Sequence, residues 1–289
     1  MRKFVNAVTR ETLEFRFAKS CRVWDNREKG GFAMLLAIDA GNTNIVLGCM
    51  EGDAIRFTAR LATSRGRTED EYALLLANIL ALRGVEPKTL DGAIVSSVVP
   101  ELKPVLKRAV ALLCGVTPLV VGAGVKSGLD IKIDNPAQLG SDLVVGAVGA
   151  IARYEKPMLV FDFGTATTLS VIDGKGRYRG GMIIPGLRLA VEALSNGTAQ
   201  LPHVDLTAPA RVIGTNTVDC MNSGAIYGTA AMLDGIIQRV EEELGEEIRT
   251  VVGTGGLVGK VAPYCRREIV VDDALMLRGL RIIYEKNRK

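Results

Sequence analysis

"LLAIDAGNTNIVLG" (residues 35–48) and "MLVFDFGTATTLSVID" (residues 158–173) are two versions of one device. Each has an apolar run, an Asp-x-Gly, a few hydroxyl or amide residues, and a second apolar run. The apolar runs read as buried strands and the polar insert as the turn that joins them. One Asp-x-Gly means little, because it is a common turn. Two copies at the ends of apolar strands, with Asp39 and Asp162 123 residues apart, mark an internal repeat that organises the whole chain.

Outward from the first copy, the strands continue through "RFTARLAT" after a Gly-Asp turn. "TEDEYALLLANILALRG" reads as an amphipathic helix with Thr68 as its N-cap, acids in its first turn and Gly84 past its end. "LDGAIVSSVVP" reads as a strand, "ELKPVLKRAVALLCG" as a helix, "TPLVVGA" as a strand and "PAQLGSDLVVGAVGAIARYE" as a closing helix. The second copy restarts the sequence of elements. Strands with a Gly-Lys-Gly turn lead to helical stretches, then to the strand "RTVVGTGG" and the closing helix "DDALMLRGLRIIYEK". The expected fold is α/β, with two tandem domains of similar topology, 34–154 and 155–289, and a cleft between them.

Composition narrows the function classes. No apolar stretch approaches the ~18 residues of a membrane span, so no membrane partner is expected. The five cysteines are scattered, with no CxxC pair, and there is one histidine, His203. That pattern excludes a structural zinc site or disulfide scaffold and favours a reducing, cytoplasmic setting. Of 36 basic and 32 acidic residues, eight and four lie in residues 1–33, which leaves 28 of each sign for the body. The net charge of +4 is thus a property of the first 33 residues, and nucleic acid is not an expected partner. We expect residues 1–33 to be a poorly ordered extension, with the folded body starting at Met34.

Two Gly-containing hairpins at matching places suggest a phosphate loop on either wall of the cleft. Backbone N–H groups in tight turns make anion-binding concavities, and the adjoining carboxylates can hold charge-neutralising cations. In "VVGTGGLVG", Gly253, Gly255 and Gly256 follow a strand, where glycine permits close approach to a flat ligand; we assign them an adenosine contact. Taken alone, Asp142 reads as a first-turn helix acid and Thr217 as a helix cap. His203, in a Pro-flanked loop, reads as structural or solvated.

At these residues the chain resembles the actin-like ATPase superfamily of sugar kinases, Hsp70 and acetate kinase. More narrowly, it resembles the type III pantothenate kinases in "DAGNTN", "TEDEYA", "SSVVPEL", "GLDIKIDNPAQLGSD", "DFGTATTLSVID", "GGMIIPG", "TAQLPHVDL", "NTVDCMNSGAIYG" and "TGGLVG". The resemblance implies a duplicated ribonuclease-H-like fold and transfer of the ATP γ-phosphate to the 4′-hydroxyl of pantothenate, the opening step of coenzyme A synthesis. It also implies a homodimer, magnesium, and potassium or ammonium. By position, Asp39, Ala40, Gly41, Asn42, Thr43, Asn44, Ile45 and Val46 would form the ATP phosphate loop, with Thr165 also touching ATP. Asp162 would ligate the monovalent cation. Gly140, Ser141, Asp142, Leu143 and Thr217 would meet pantothenate, with Asp142 as general base.

Two positions depart from the family pattern. "GSDL" stands where Gly-Ala-Asp-Arg is usual, so Leu143 replaces an arginine that would clasp the pantothenate carboxylate, and Ile133 stands where many members have tyrosine. Leucine supplies neither charge nor bidentate donors. A related small-molecule kinase with an altered substrate is therefore one alternative. A non-catalytic ATP-binding transcriptional accessory factor is another, disfavoured by the neutral body and the lack of a helix-turn-helix module.

Overall fold

The computed structural model describes residues 34–288, so the expectation for residues 1–33 lies outside the described residues. The chain opens with an antiparallel meander, β1 (Met34–Ala40), β2 (Asn44–Glu51) and β3 (Ala54–Ala62). Then come α1 (Glu69–Leu82), β4 (Gly92–Ser97), α2 (Leu102–Cys114) and β5 (Leu119–Val120), giving a sheet of order β3-β2-β1-β4-β5. Thr68 caps α1 in a reciprocal capping box with Glu71, as the sequence predicts.

After β6 (Asp130–Ile131) and α3 (Ser141–Ile151), the pattern repeats. A second meander of β7 (Met158–Phe163), β8 (Ala166–Ile172) and β9 (Arg177–Pro185) is followed by α4 (Leu187–Gly197), α5 (Thr217–Leu244), β10 (Thr250–Thr254), α6 (Val258–Val261), β11 (Val270–Val271) and α7 (Leu275–Asn287). The second sheet has the order β11-β10-β7-β8-β9-β6. Without β6 it is the first sheet again, a meander on one side of the founding strand and parallel strands on the other. The α/β duplication expected from the two motifs is what the chain adopts.

Two connections were not visible in the sequence. β6 crosses over to pair with β9 at the edge of the second sheet. α7, the last helix, returns to pack on the first sheet, with Leu277, Leu280 and Ile283 against Leu35, Ala37 and Ile94. α3 and α7 occupy equivalent places in the repeat and pack on each other between the sheets. A Cβ on Gly149 of α3 would lie 2.6 Å from the Leu275 carbonyl, and one on Gly279 would strike the Val145 carbonyl. These glycines let the two helices touch backbone to backbone.

The closing helix of the first half also starts later than expected. Pro136–Gln138 form a single 3₁₀ turn whose first N–H groups are served by Asn135, and the chain is extended at Leu139 and Gly140 before α3 begins at Ser141. The break places Asp142 in the first turn of α3.

Strand parity then decides where the repeated aspartates point. In β1, Leu36, Ile38 and Ala40 bury against α1 and α2, while Leu35 and Ala37 face α3 and α7. Asp39 shares the second parity. In β7, Leu159, Phe161 and Phe163 bury against α4, α5 and α6, while Met158 and Val160 face α3 and α7. Asp162 shares that parity. Both carboxylates therefore look inward, toward the helix pair between the sheets.

Candidate active site

The first hairpin turns at Gly41–Thr43. Gly41 N–H donates to the Asn44 carbonyl at 2.9 Å, Thr63 Oγ1 donates to the Gly41 carbonyl at 2.8 Å, and Thr63 N–H donates to the Thr43 carbonyl at 2.9 Å. Asn42, Thr43 and Asn44 are exposed, and Val46 is half-buried. The side chains of Ala40 and Ile45 belong to the core beneath α1 and α2, so those two residues can meet a ligand only through their backbone.

The second hairpin turns at Gly164–Thr165 and touches the first. The hydroxyls of Thr43 and Thr165 lie 2.7 Å apart, a hydrogen bond between the two halves. Gly186, which opens α4, fits against the carbonyls of Gly164 and Thr165 so closely that any side chain there would collide with them.

Around each aspartate the two sheets repeat one another. Asp39 is paired in register with Ser96 on parallel β4, and Asp162 with Thr254 on parallel β10. Asp162 also lies across from Thr168 on β8. The third carboxylate, Asp142, rises from the start of α3, where its Oδ1 accepts the Leu143 N–H at 2.9 Å. The start of α3 is tied to β4 by Ser141. Its hydroxyl lies 3.2 Å from Ser96 Oγ and donates to the Ser97 carbonyl at 3.2 Å.

Charge is unbalanced here. Burial, then Asp142 and then Asp162 push the Asp39 carboxyl up to about 7 against a hydrogen bond from Ser96. Burial and Asp142 push Asp162 up to about 6, and burial raises Asp142 while its Leu143 N–H contact opposes the rise. Among the described residues no Lys or Arg forms an ion pair with any of the three. Partly buried carboxylates without basic partners suit a bound cation, which would lower all three pKa values together.

Asp142, Leu143 and Asp162 line one recess with Val160, Thr168, Ser170, Thr254 and Met276. Four of the last five are strand residues on the inward parity; sequence reasoning passed over Thr168 and Ser170, although hairpin pairing with β7 sets them opposite Asp162 and Val160. Ser96 was missed because its role depends on a partner in another strand. Arg60, also missed, points from β3 toward Gly256 across the cleft.

The three glycines after β10 have different surroundings. A side chain on Gly253 would collide with Val258 and Ile269, so core packing accounts for that glycine. Gly255 has φ +92°, and a Cβ there would come within 2.6 Å of Asp162 Oδ1 and 2.7 Å of Phe163 N. Only Gly256 is exposed. Thr217 is exposed at the first position of α5, where Asn216 rather than Thr217 supplies the cap, and it does not line the Asp142 recess. His203 faces a separate surface hollow with Arg188 and Asp205.

Such an arrangement can hold a polyphosphate between two turns and take a proton from a hydroxyl placed beside Asp142. Comparison with known proteins identifies the family. The sequence profile of the type III pantothenate kinases matches residues 35–239. A type III pantothenate kinase of an Exiguobacterium species is 45% identical over 256 residues, spanning 89% of this chain and 100% of its own. The same enzyme of Moorella thermoacetica is 45% identical over 254 residues, spanning 88% and 100%. Among solved structures, (R)-2-hydroxyglutaryl-CoA dehydratase component A of Acidaminococcus fermentans superposes with a TM-score of 0.55 at 15% identity, over 89% of this chain and 100% of that one. A protein described as a Baf family transcriptional activator from Campylobacter jejuni gives 0.53 at 18% identity, over 87% and 98%. At such identities the structural likenesses speak for the fold alone.

Proposed function

The chain belongs to the type III pantothenate kinase family, which phosphorylates pantothenate with ATP, and from that premise we propose how its residues divide the work. Asp142 is the general base. The observation that carries this is its position, in the first turn of α3 and facing the recess between α3, α7 and the second sheet, with its carboxyl raised by burial. A raised carboxylate binds a proton more readily than a solvated one, which suits it to accept the 4′-hydroxyl proton as the phosphoryl group transfers.

The turns at Gly41–Asn44 and Gly164–Thr165 hold the ATP phosphates through backbone N–H groups and the Thr43 and Thr165 hydroxyls. Ala40, Ile45 and Val46 shape the first turn from below. Asp39 is assigned to magnesium and Asp162 to potassium or ammonium, in keeping with two raised carboxylates that have no basic partner. When bound, these ions supply positive charge against the phosphates and the developing transition state. Positioning and charge balance do the remaining work, and no covalent phosphoenzyme is needed. The glycine loop at Gly255–Gly256, with Arg60 opposite, is the proposed adenosine side, and Gly253 supports it from the core.

Gly140 and Ser141 set the acceptor's approach by fixing the start of α3. Thr217 serves the acceptor site of a second subunit in a homodimer. Supporting the dimer, the second half leaves large apolar side chains in the open, among them Ile183 at 79% and Ile213 at 81% exposure, the latter in the loop that leads to Thr217. Residues 34–154 and 155–289 are taken as the two lobes that bracket the nucleotide. The cytoplasm is the proposed setting, in keeping with the free thiols of Cys49, Cys114, Cys220 and Cys265. No helix among the described residues is long and apolar enough to cross a membrane.

A coupled ADP-release assay with pantothenate, with and without potassium or ammonium, tests the assignment. Turnover needing both is expected. Asp142→Asn should lower kcat by about 100- to 10,000-fold while ATP binding survives. Near-normal turnover in that variant would remove Asp142 as the base.

A further inference from the structure

The two halves diverge at one end of the row of residues that holds each aspartate. Strand register places Arg60 (β3), Val46 (β2), Asp39 (β1) and Ser96 (β4) in one row across the first sheet. The corresponding row of the second sheet is Ile183 (β9), Thr168 (β8), Asp162 (β7) and Thr254 (β10). Aspartate matches aspartate and hydroxyl matches hydroxyl, but where the second half has isoleucine the first has arginine. Residues in a row share one face, so Arg60 looks to the same side as Asp39, two strand spacings or about 10 Å away.

On that face Arg60 stands in the open. α7 packs on β1, β2 and β4, whereas Arg60 belongs to the edge strand and is exposed. Its basic neighbours are engaged: Arg56 pairs with Glu51, Arg65 donates to Asn42 at 3.4 Å, and Arg67 lies over the Tyr72 ring. Among the described residues no carboxylate pairs with Arg60. What faces it is the glycine loop of the other half, where a Cβ on Gly256 would lie 3.6 Å from Arg60 Nη1. An unpaired guanidinium therefore projects into the cleft beside the loop assigned to adenosine, on the face that carries Asp39.

Two parts of a nucleotide can answer such a group, the flat base or the phosphates. A base held between the guanidinium and Gly256 needs two stacking contacts, a gap of about 7 Å. The separation is one contact wide. The phosphates carry the charge that Arg60 lacks, and a guanidinium fork takes phosphate oxygens two at a time. With adenosine at the glycine loop, the phosphates nearest to Arg60 are the α and β, which ATP and ADP share. We propose that Arg60 is a nucleotide-binding residue that grips the α- and β-phosphates from the first half, across the cleft from the glycine loop. The proposal rests on the kinase assignment above and on its placing of adenosine at Gly255–Gly256. Ile183, the counterpart of Arg60, lies on the apolar surface assigned to a second subunit. The duplicated position thus meets an anion on one half and a neighbouring chain on the other.

The test is calorimetric binding of ADP with magnesium to the full chain and to Arg60→Gln, Arg60→Lys and Arg60→Phe, which needs no turnover. Arg60→Gln should raise Kd at least about tenfold, the usual worth of a hydrogen bond to a charged group. Lysine keeps the charge and should recover part of the loss, whereas phenylalanine keeps only a flat surface and should recover none. Rising salt should weaken ADP binding more steeply in the native protein than in Arg60→Gln, a difference that a merely structural role would not produce. In turnover, KM for ATP should rise by the same factor as the ADP Kd, with KM for pantothenate unchanged. An unchanged Kd in Arg60→Gln, or recovery by phenylalanine equal to or better than that by lysine, overturns the phosphate contact and leaves the kinase assignment standing. Absence of ADP binding to the native protein overturns both.

Discussion

The two hairpins share topology and the Asp-x-Gly at their ends, yet they are braced in different ways. In the first, Thr63 does the bracing, with its hydroxyl on the Gly41 carbonyl and its backbone N–H on the Thr43 carbonyl, and Asp39 receives a hydrogen bond from Ser96. In the second, close backbone approach does it: Gly186 seats against the turn and Gly255 against Asp162 and Phe163. A hydroxyl brace can be lost and replaced by water. A glycine brace cannot change without moving the strand. The duplicated half that carries Asp162 is thus the less adjustable jaw, which is consistent with the monovalent ion proposed for it. The jaw that carries Asp39 is consistent with the proposed magnesium, an ion that keeps several of its waters.

Removing each carboxylate tests this division most strongly. Asp39→Asn and Asp162→Asn should each lower kcat on the order of 100-fold or more, since each removes a charge that orders the phosphates. The losses should differ in kind. Extra magnesium should partly restore Asp39→Asn, and extra potassium should partly restore Asp162→Asn, in steady-state titrations of both ions. Rescue of both variants by the same ion would erase the distinction between the jaws.

The glycine and hydroxyl braces should also differ in cost. Gly255→Ala forces a side chain into φ +92° and against Asp162, so about 1–3 kcal/mol of strain is expected before the collision is counted. Thr63→Val should cost about 1 kcal/mol, the usual value of a lost hydrogen bond. Urea unfolding of the two variants beside the native protein measures both, and a Thr63→Val loss equal to or larger than that of Gly255→Ala would reverse the comparison.

Titration distinguishes the aspartates again. Both carboxyls are raised in the folded state, so the folded protein binds their protons more tightly than the unfolded chain does. Their contribution to stability is full below the unfolded value of 3.8 and is lost as pH rises, through about 6 for Asp162 and about 7 for Asp39. Without nucleotide or added metal, Tm attributable to these groups should fall between pH 4 and pH 7. Asp39→Asn should weaken the fall up to about pH 6 and abolish it between pH 6 and 7, whereas Asp162→Asn should weaken it only up to about pH 6 and leave the remainder. A pH profile of Tm that is the same in the native protein and in both variants would show that neither aspartate is raised.

Much of this site was legible because it depends on period-two alternation. Once "LLAID" and "MLVFD" read as strands, parity alone turns Asp39 and Asp162 to one face, and hairpin pairing could have set Thr168 opposite Asp162. What was not legible depends on partners chosen at long range. Nothing local tells α7 to return to the first sheet, or the two residues of β6 to pair with β9. The start of α3 was obscured because Pro136 and Gly140 sit in a stretch otherwise rich in helix formers. Gly253 looked like part of a ligand loop because packing against Val258 and Ile269 leaves the same glycine signature as a close ligand.

The smallest expected effect bears on how the jaws meet. The Thr43 and Thr165 hydroxyls, 2.7 Å apart and exposed, join the two hairpins directly. A hydrogen bond in water contributes about 0.5 kcal/mol at the low end of the usual range. A double-mutant cycle of Thr43→Val and Thr165→Val, read by urea unfolding, should return a coupling of that size in the nucleotide-free protein. At 2.7 Å no phosphate oxygen fits between the two hydroxyls, so turns that both hold phosphates must part, and the same cycle in saturating ATP analogue with magnesium should return no coupling. A coupling that persists undiminished with nucleotide bound would mean that the jaws do not separate to admit it, and that at most one of the two turns holds the phosphates.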